Sequence, residues 1–290
     1  VKYRVTHTTA YAYGKPVDLA DHMLHLRPRP LAHQRILSAS ILAEPAAARC
    51  TEGIDHFGNV ATWLFLDMPH EAFEVVSEAV VDVLFPTAPE PAATPPWEEV
   101  VREAAAGGAD AWQAAEFSFG SAMSPADETV GAYVAPSFPP GRPVLEGLLD
   151  LNRRIGVDFA FRSGVTTIAT PITQVLKQKA GVCQDFSHMM IGGLRALGLP
   201  ARYVSGYIRT RPPPGQKRRR GSDQSHAWVG CWLGSRHGWV DLDPTNNLVV
   251  RDEHVVLGWG RDYGDVSPVR GIILGGGRHS LTVSVDLEPL

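Results

Sequence analysis

Gly181-Val182-Cys183-Gln184-Asp185-Phe186-Ser187-His188 is the stretch on which the reading of this 290-residue chain turns. After the cysteine, Phe186, Met190, Leu194 and Leu197 recur at helical spacing, and Gly198 followed by Pro200 stops the pattern. Cys183 therefore opens a helix. A helix N-terminus carries unpaired N–H groups and the positive end of the helix dipole, which favour a thiolate placed there and can cradle an oxyanion. Taken alone, a free cysteine is more often a small buried hydrophobe, so the context has to decide.

The context lies downstream. Ala201 to Ile208, Ala227 to Leu233 and Gly238 to Leu242 read as strands. His226 stands at the start of the second, in Ser225-His226-Ala227-Trp228-Val229, and Asp243 just past the end of the third, in Asp241-Leu242-Asp243-Pro244-Thr245. A hairpin over 227 to 242 brings the start of one strand beside the end of the other, making His226 and Asp243 neighbours in space. A carboxylate there fixes the imidazole tautomer and stabilises the imidazolium, which in turn holds a thiolate. Asp241 shares the parity of Asp243, so alternation alone leaves both as partners for His226.

These strings, together with Gly198-Leu199-Pro200-Ala201-Arg202-Tyr203-Val204-Ser205-Gly206-Tyr207 and Asp243-Pro244-Thr245-Asn246, resemble the bacterial transglutaminase-like superfamily. The resemblance implies a papain-like Cys-His-Asp triad of Cys183, His226 and Asp243, and it favours Asp243 over Asp241. Arg27-Pro28-Arg29, Asp55-His56-Phe57-Gly58-Asn59 and the run from Gly260 to Gly271 resemble the same family, so that residues 87 to 145 are the weakest zone. Papain itself differs, with its Cys near the mature N-terminus, its His far downstream and Asn as third member.

Outward from this core, residues 1 to 86 read as a small antiparallel β domain. Tyr3, Val5, His7, Tyr11 and Tyr13 sit at strand spacing, Ile36 to Leu42, Val60 to Leu66 and Phe73 to Leu84 are strand-like, and Asp55 to Asn59 is a turn. Pro86 to Pro96 is a linker, Trp97 to Phe117 is helical with a break at Gly107-Gly108, Val144 to Arg154 is helical, and Pro171 suits the first turn of another helix. The expected class is α+β: a Cys-bearing helix on an antiparallel sheet, preceded by the β domain. The division is 1–86, a linker and helical segment 87–145, and a core with C-terminal strands, including Leu281 to Leu287, over 146–290.

Composition narrows the function. A net charge of −4 gives no general reason to bind nucleic acid or an anionic membrane. Three dispersed cysteines, with no CxxC pair, argue against a disulfide framework or a Cys-based zinc site and suit a reducing, cytoplasmic setting. Neither a signal-peptide pattern nor an apolar run long enough to span a bilayer stands out. His22, His25 and His33 lack acidic or Cys partners at ligand spacing and read as surface or interdomain residues. Cys50 and Cys231 read as structural, and His188 as a helix residue bonded to nearby backbone. Gln184, Tyr207 and Trp228 are candidates to line the oxyanion site or cleft, with core packing the competing reading for the aromatic pair. Arg209 to Arg220 forms a basic loop before His226, either a solvated loop or a lid favouring acidic peptides. The expectation is acyl transfer on peptide or side-chain amides without cofactor or metal. Water as acceptor makes a cysteine peptidase or amidase, and an amine makes a transglutaminase. The alternative is a non-catalytic peptide- or protein-binding module.

Overall fold

The structure, a computed structural model, describes residues 1–108, 111–210 and 224–290. The basic loop read from Arg209 to Arg220 lies, from residue 211 on, outside the described residues, and with it any lid function. Five strands fill the first part: β1 (Lys2–Leu24), β2 (Gln34–Glu44), β3 (Arg49–Ile54), β4 (Val60–Leu66) and β5 (His70–Val83). They form an antiparallel sheet in the order β2-β5-β1-β4-β3. Alternation builds its inner face: in β5, Phe73, Val75, Ala79, Val81 and Val83 are buried while Glu74 and Glu78 are exposed. β3 went unread because its residues, Arg49-Cys50-Thr51-Glu52-Gly53-Ile54, lie at the sheet edge with little burial and so carry no alternation.

The middle of the chain is helical, with α1 (Trp97–Ala106), α2 (Trp112–Ala115), α3 (Glu128–Val134), α4 (Val144–Asp158) and α5 (Ile172–Gln178). α3 was not foreseen; its start is capped by Asp127, whose carboxylate accepts the Val130 N–H at 3.0 Å. A short parallel pair, β6 (Ala160–Phe161) and β7 (Ala180–Gly181), delivers the chain to α6 (Cys183–Ala196). Gly198 ends α6 with φ +81°: its N–H bonds Arg195 O and that of Leu199 bonds Leu194 O, the paired closure that favours glycine at this point.

β8 (Ala201–Ile208), β9 (Gln224–Trp232), β10 (Trp239–Asp243), β11 (Leu248–Val249) and β12 (His254–Gly260) form a second antiparallel sheet, ordered β11-β10-β9-β8-β12. α6 packs Phe186, Met189, Met190 and Leu194 against Ala201, Tyr203, Ala227, Val229 and Leu242 of this sheet. Each such side chain contributes about 1.5–3 kcal/mol on burial, and together they fix where Cys183, at the head of α6, meets the sheet.

The chain then returns to its start. β13 (Val269–Gly275) pairs with Val17 to Leu24 of β1, and β14 (His279–Pro289) with Tyr3 to Tyr13. The division at residue 145 grouped these C-terminal strands with the core; they complete the first sheet instead. An unpaired edge of the 23-residue β1 would leave a long row of backbone groups unsatisfied, and the two last strands cover it. The edge strand β12 is covered differently. Gln34 gives its amide N–H to Val256 O at 2.7 Å and accepts the Val256 N–H at 2.8 Å, while Asn59 does the same for Trp259 O at 2.8 Å and N–H at 2.9 Å. Two side-chain amides thus stand in for a neighbouring strand and join the two sheets.

Candidate active site

Cys183 is the first residue of α6 and half-buried. Val182 precedes it in an extended conformation and has no side-chain group to cap the helix. Asp185 does that work from within: its Oδ2 accepts the Val182 N–H at 2.8 Å and the Thr166 hydroxyl at 2.7 Å. The approach requires Gly181, where a Cβ would stand 2.7 Å from Asp185 Oδ2. The spacing Gly181-x-Cys183-x-Asp185 is thus a device for holding the first turn, with its free N–H groups, around the thiol.

β9 and β10 run antiparallel with Leu242 opposite Val229, so the end of β10 lies beside the start of β9. There His226 Nε2 lies 2.7 Å from Asp243 Oδ2. His226 sits inside β9, which begins at Gln224, and Asp243 is the last residue of β10. Asp243 is fully buried and saturated with donors. Its Oδ1 accepts the N–H groups of Thr245 (3.0 Å) and Asn246 (3.1 Å), and Oδ2 also accepts Asn246 Nδ2 (2.7 Å). The Pro-Thr-Asn that follows Asp243 folds back over it for this purpose.

The electrostatics follow from these contacts. Burial alone would raise the Asp243 carboxyl; the hydrogen bonds from His226, His254 and Asn246 and the charge on His226 hold it far below the usual carboxylate range. Burial likewise opposes a charged His226, but hydrogen bonds to Asp243 and to Cys183, with the charges on both, outweigh it and push the imidazolium up to about 10. Since Nε2 is committed to Asp243, Nδ1 is the nitrogen left for Cys183. A thiol, an imidazole and a buried carboxylate therefore lie in series at one place.

His254, on the unforeseen strand β12, belongs to the same cluster. Its Nε2 lies 3.4 Å from Asp243 Oδ2, and its ring meets Trp228 edge-on at 5.1 Å. The apolar run Val255-Val256-Leu257 after a polar turn was the signal for that strand. His226, Asp243 and His254 bring ligand-type atoms within 4.8 Å of one another, and among the described residues this is the grouping able to hold a metal ion. The imidazole nitrogens point at one carboxylate oxygen at hydrogen-bond distance, which suits shared protons better than a cation.

The other sequence candidates fall elsewhere. Gln184 is half-buried beside Cys183 in the first turn of α6. Tyr207 is not in the cleft: it is fully buried among Tyr3, Val5, Val285 and Leu287, with its hydroxyl 2.9 Å from His7 Nδ1. Trp228 is fully buried too and gives its indole N–H to Asp241 Oδ2 at 2.9 Å. Asp241 is thereby engaged by Trp228, while Asp243 takes His226. His188 is buried, its pKa lowered to about 4 by desolvation, and its Nε2 accepts the Tyr263 N–H, which is distant in sequence. Of the early histidines, His22 is buried against Phe73, His25 is buried between Asp55 and Ser267 O, and His33 is half-buried against Phe85. A surface position is wrong for His22 and His25: the His22 ring stacks on Phe73, and the His25 nitrogens meet Asp55 and Ser267 O. Cys231 is buried and its thiol is pushed up by desolvation, whereas Cys50 is exposed on β3, not a structural core residue.

Comparison with known proteins gives the family and the fold. Residues 3–82 match the bacterial transglutaminase-like N-terminal region, and residues 145–244 match the transglutaminase-like superfamily. An uncharacterized protein of Mycobacterium tuberculosis is 41% identical over 99% of this chain and 93% of its own length. A solved Cytophaga hutchinsonii structure, provisionally described as a cysteine protease, superposes with a TM-score of 0.76 over 99% of this chain and 89% of that one, at 21% identity. A protein-glutamine gamma-glutamyltransferase of Pseudomonas aeruginosa is 37% identical over a short stretch, 23% of this chain and 10% of its own length.

Proposed function

We propose that this chain, which belongs to the transglutaminase-like superfamily and carries its bacterial N-terminal region, breaks amide bonds through a thioester on Cys183. The observation that carries the reading is the hydrogen-bonded series Asp243–His226–Cys183, running from a fully buried carboxylate to a half-buried thiol at the head of α6.

The reacting form in this reading pairs a Cys183 thiolate with a His226 imidazolium. The thiolate attacks the carbonyl carbon of a peptide or side-chain amide, forming a C–S bond and a tetrahedral oxyanion that faces the free N–H groups of the first turn of α6. As the oxyanion collapses, His226 gives its proton to the leaving nitrogen, the C–N bond breaks, and an amine or ammonia departs. His226, now neutral, takes a proton from the incoming water or amine, which attacks the thioester. Breaking the C–S bond returns the thiolate and imidazolium. Asp243 keeps its charge throughout and holds the ring in place. Water as acceptor makes the chain a cysteine peptidase or amidase, and an amine makes it a transglutaminase. The three free cysteines suit a reducing compartment such as the cytoplasm. No helix among the described residues is long and apolar enough to cross a membrane.

The test is incubation with peptide amides, with and without a primary amine, and mass spectrometry of products and of the acylated protein. An acyl adduct on Cys183, absent in Cys183→Ala of unchanged melting temperature, is the expected result. A folded wild type that binds such peptides but never forms an adduct or product would make the chain a binding module instead.

A further inference from the structure

The last strand, β14, leaves one edge of the first sheet open. It pairs with β1 from Tyr3 to Tyr13 without a break in register, and with no other strand among the described residues. Two bonds that flank it set the phase of the ladder: Gly14 N–H to Arg278 O at 2.7 Å, and Leu290 N–H to Lys2 O at 2.9 Å. Even-numbered residues of β14 therefore bond to β1. The N–H and C=O groups of Leu281 and Val283 point the opposite way, off the sheet.

Open edges are normally blunted by charge, proline or a bulge. The other two outer strands of the sheet have such guards: β3 carries Arg49 and Glu52, and β2 shifts register between Ile36 and Ser38. The stretch His279-Ser280-Leu281-Thr282-Val283-Ser284-Val285 of β14 contains no Lys, Arg, Asp, Glu or Pro. Its apolar side chains are open as well. Leu281 and Val283 share the face of the buried Val285 and Leu287, yet are 53% and 48% exposed.

The sequence of this edge is its own complement. Run in opposite directions about Thr282, two copies set Leu281 against Val283, Ser280 against Ser284, Thr282 against itself and Arg278 against Asp286. Odd-numbered residues then meet as hydrogen-bonded pairs. Even-numbered residues meet as the closer non-hydrogen-bonded pairs, which suits an Arg–Asp contact. Neighbouring registers lose the match. With the axis on Leu281, Arg278 faces Ser284; with it on Val283, Arg278 faces Glu288, which Arg4 already holds at 3.0 Å.

We infer that β14 pairs antiparallel with β14 of a second copy of this chain, about a twofold axis at Thr282, so that the two first sheets run on as one. Leu281 and Val283 of both copies then cover one another, and the outward backbone groups of each edge are satisfied by the other. The seam is short, which makes the association one of modest strength. Neither Cys183 nor His226 belongs to this sheet, so the inference stands apart from the acyl-transfer reading.

The experiment is sedimentation of the full chain over a range of concentrations. A monomer–dimer equilibrium with a dissociation constant of about 100 μM or tighter is expected. Val283→Pro removes an N–H that faces away from β1, where an edge strand tolerates proline; it is expected to give a monomer with an unchanged melting curve. Val283→Lys is the second variant, since a lysine on an edge opposes pairing without altering the backbone. Register is read by disulfide capture in a Cys50→Ser, Cys183→Ala background. Thr282→Cys sets two thiols face to face across the axis, with Cα atoms about 4.5 Å apart, and is expected to cross-link under mild oxidation. Ser280→Cys, which faces Ser284 and not itself, is expected not to. A chain still monomeric at about 300 μM, a dimer that survives both Val283 variants, or equal cross-linking by the two cysteines would overturn the assignment. So would a monomer that gains hydrogen-exchange protection at Leu281 and Val283 on adding an unrelated alternating Val-Thr peptide, which would give the edge to the strand of another protein.

Discussion

Replacing Asp243 by Asn keeps the shape of the side chain and removes its charge. His226 is raised from an ordinary 6.5 to about 10, a preference for the imidazolium of roughly 5 kcal/mol. The hydrogen bond to Asp243 contributes more to it than that to Cys183. Losing at least half of it is about 2.5 kcal/mol, on the order of a hundredfold in the population of the thiolate–imidazolium pair. The assay is iodoacetamide alkylation across pH, with mass spectrometry of each cysteine. Exposed Cys50 is the reference and buried Cys231 the blank. In the wild type Cys183 should react near pH 6 far faster than Cys50; in Asp243→Asn that advantage should fall by at least about tenfold. Asp241→Asn should leave it intact, since Asp241 serves Trp228. The same substitution carries a stability signature. A depressed Asp243 stabilises the fold above its unfolded value of 3.8 and loses that contribution as pH falls. A raised His226 stabilises it fully below 6.5 and loses that contribution as pH rises through about 10. The wild type should therefore exceed Asp243→Asn most between pH 4 and 6.5, with the gap closing on either side. An unchanged alkylation profile, or a gap that does not depend on pH, would refute the argument.

Three further outcomes are expected. Tyr207→Phe strands His7 Nδ1 in the core and should cost about 1–3 kcal/mol in chemical denaturation, while turnover per folded molecule stays unchanged; altered substrate preference would return Tyr207 to the cleft. Gly181→Ala drives a methyl into Asp185 and should loosen the first turn of α6, lowering Cys183 alkylation at pH 6 with little change in global melting. Asn59→Ala leaves the Trp259 N–H and C=O unpaired; it should destabilise by roughly 2–4 kcal/mol and raise hydrogen exchange along β12 first.

The site was legible because its chemistry is written locally. The cysteine had to open a helix, and the hairpin had to place His226 beside Asp243; both follow from periodicity and turn residues. What escaped depended on contacts between distant segments. Tyr203 and Tyr207 share a parity on β8. No local pattern says that α6 covers that face at Tyr203 while Tyr3, Val5, Val285 and Leu287 cover it at Tyr207. Trp228 was open to two readings until Asp241 appeared under its N–H. The closing strands were grouped with the core, and their pairing with β1 escaped because strand pairing over a separation of more than two hundred residues leaves no short-range trace.

Asp55 to Asn59 shows how a segment readable as a turn acquires a second purpose. Asp55 Oδ1 accepts the N–H groups of Phe57 and Asn59, and its Oδ2 receives Asn59 Nδ2 and faces His25. The turn is thereby rigid enough to present Asn59 to Trp259, and with Gln34 it closes the open edge of β12. That strand carries His254, which contacts Asp243, and Asp243 orients His226. The first sheet thus reaches the thiol through a continuous series of hydrogen-bonded groups. Its fusion to the core by both ends of the chain follows from the same need: a site whose third residue is fully buried requires the strand behind it to be held on both sides.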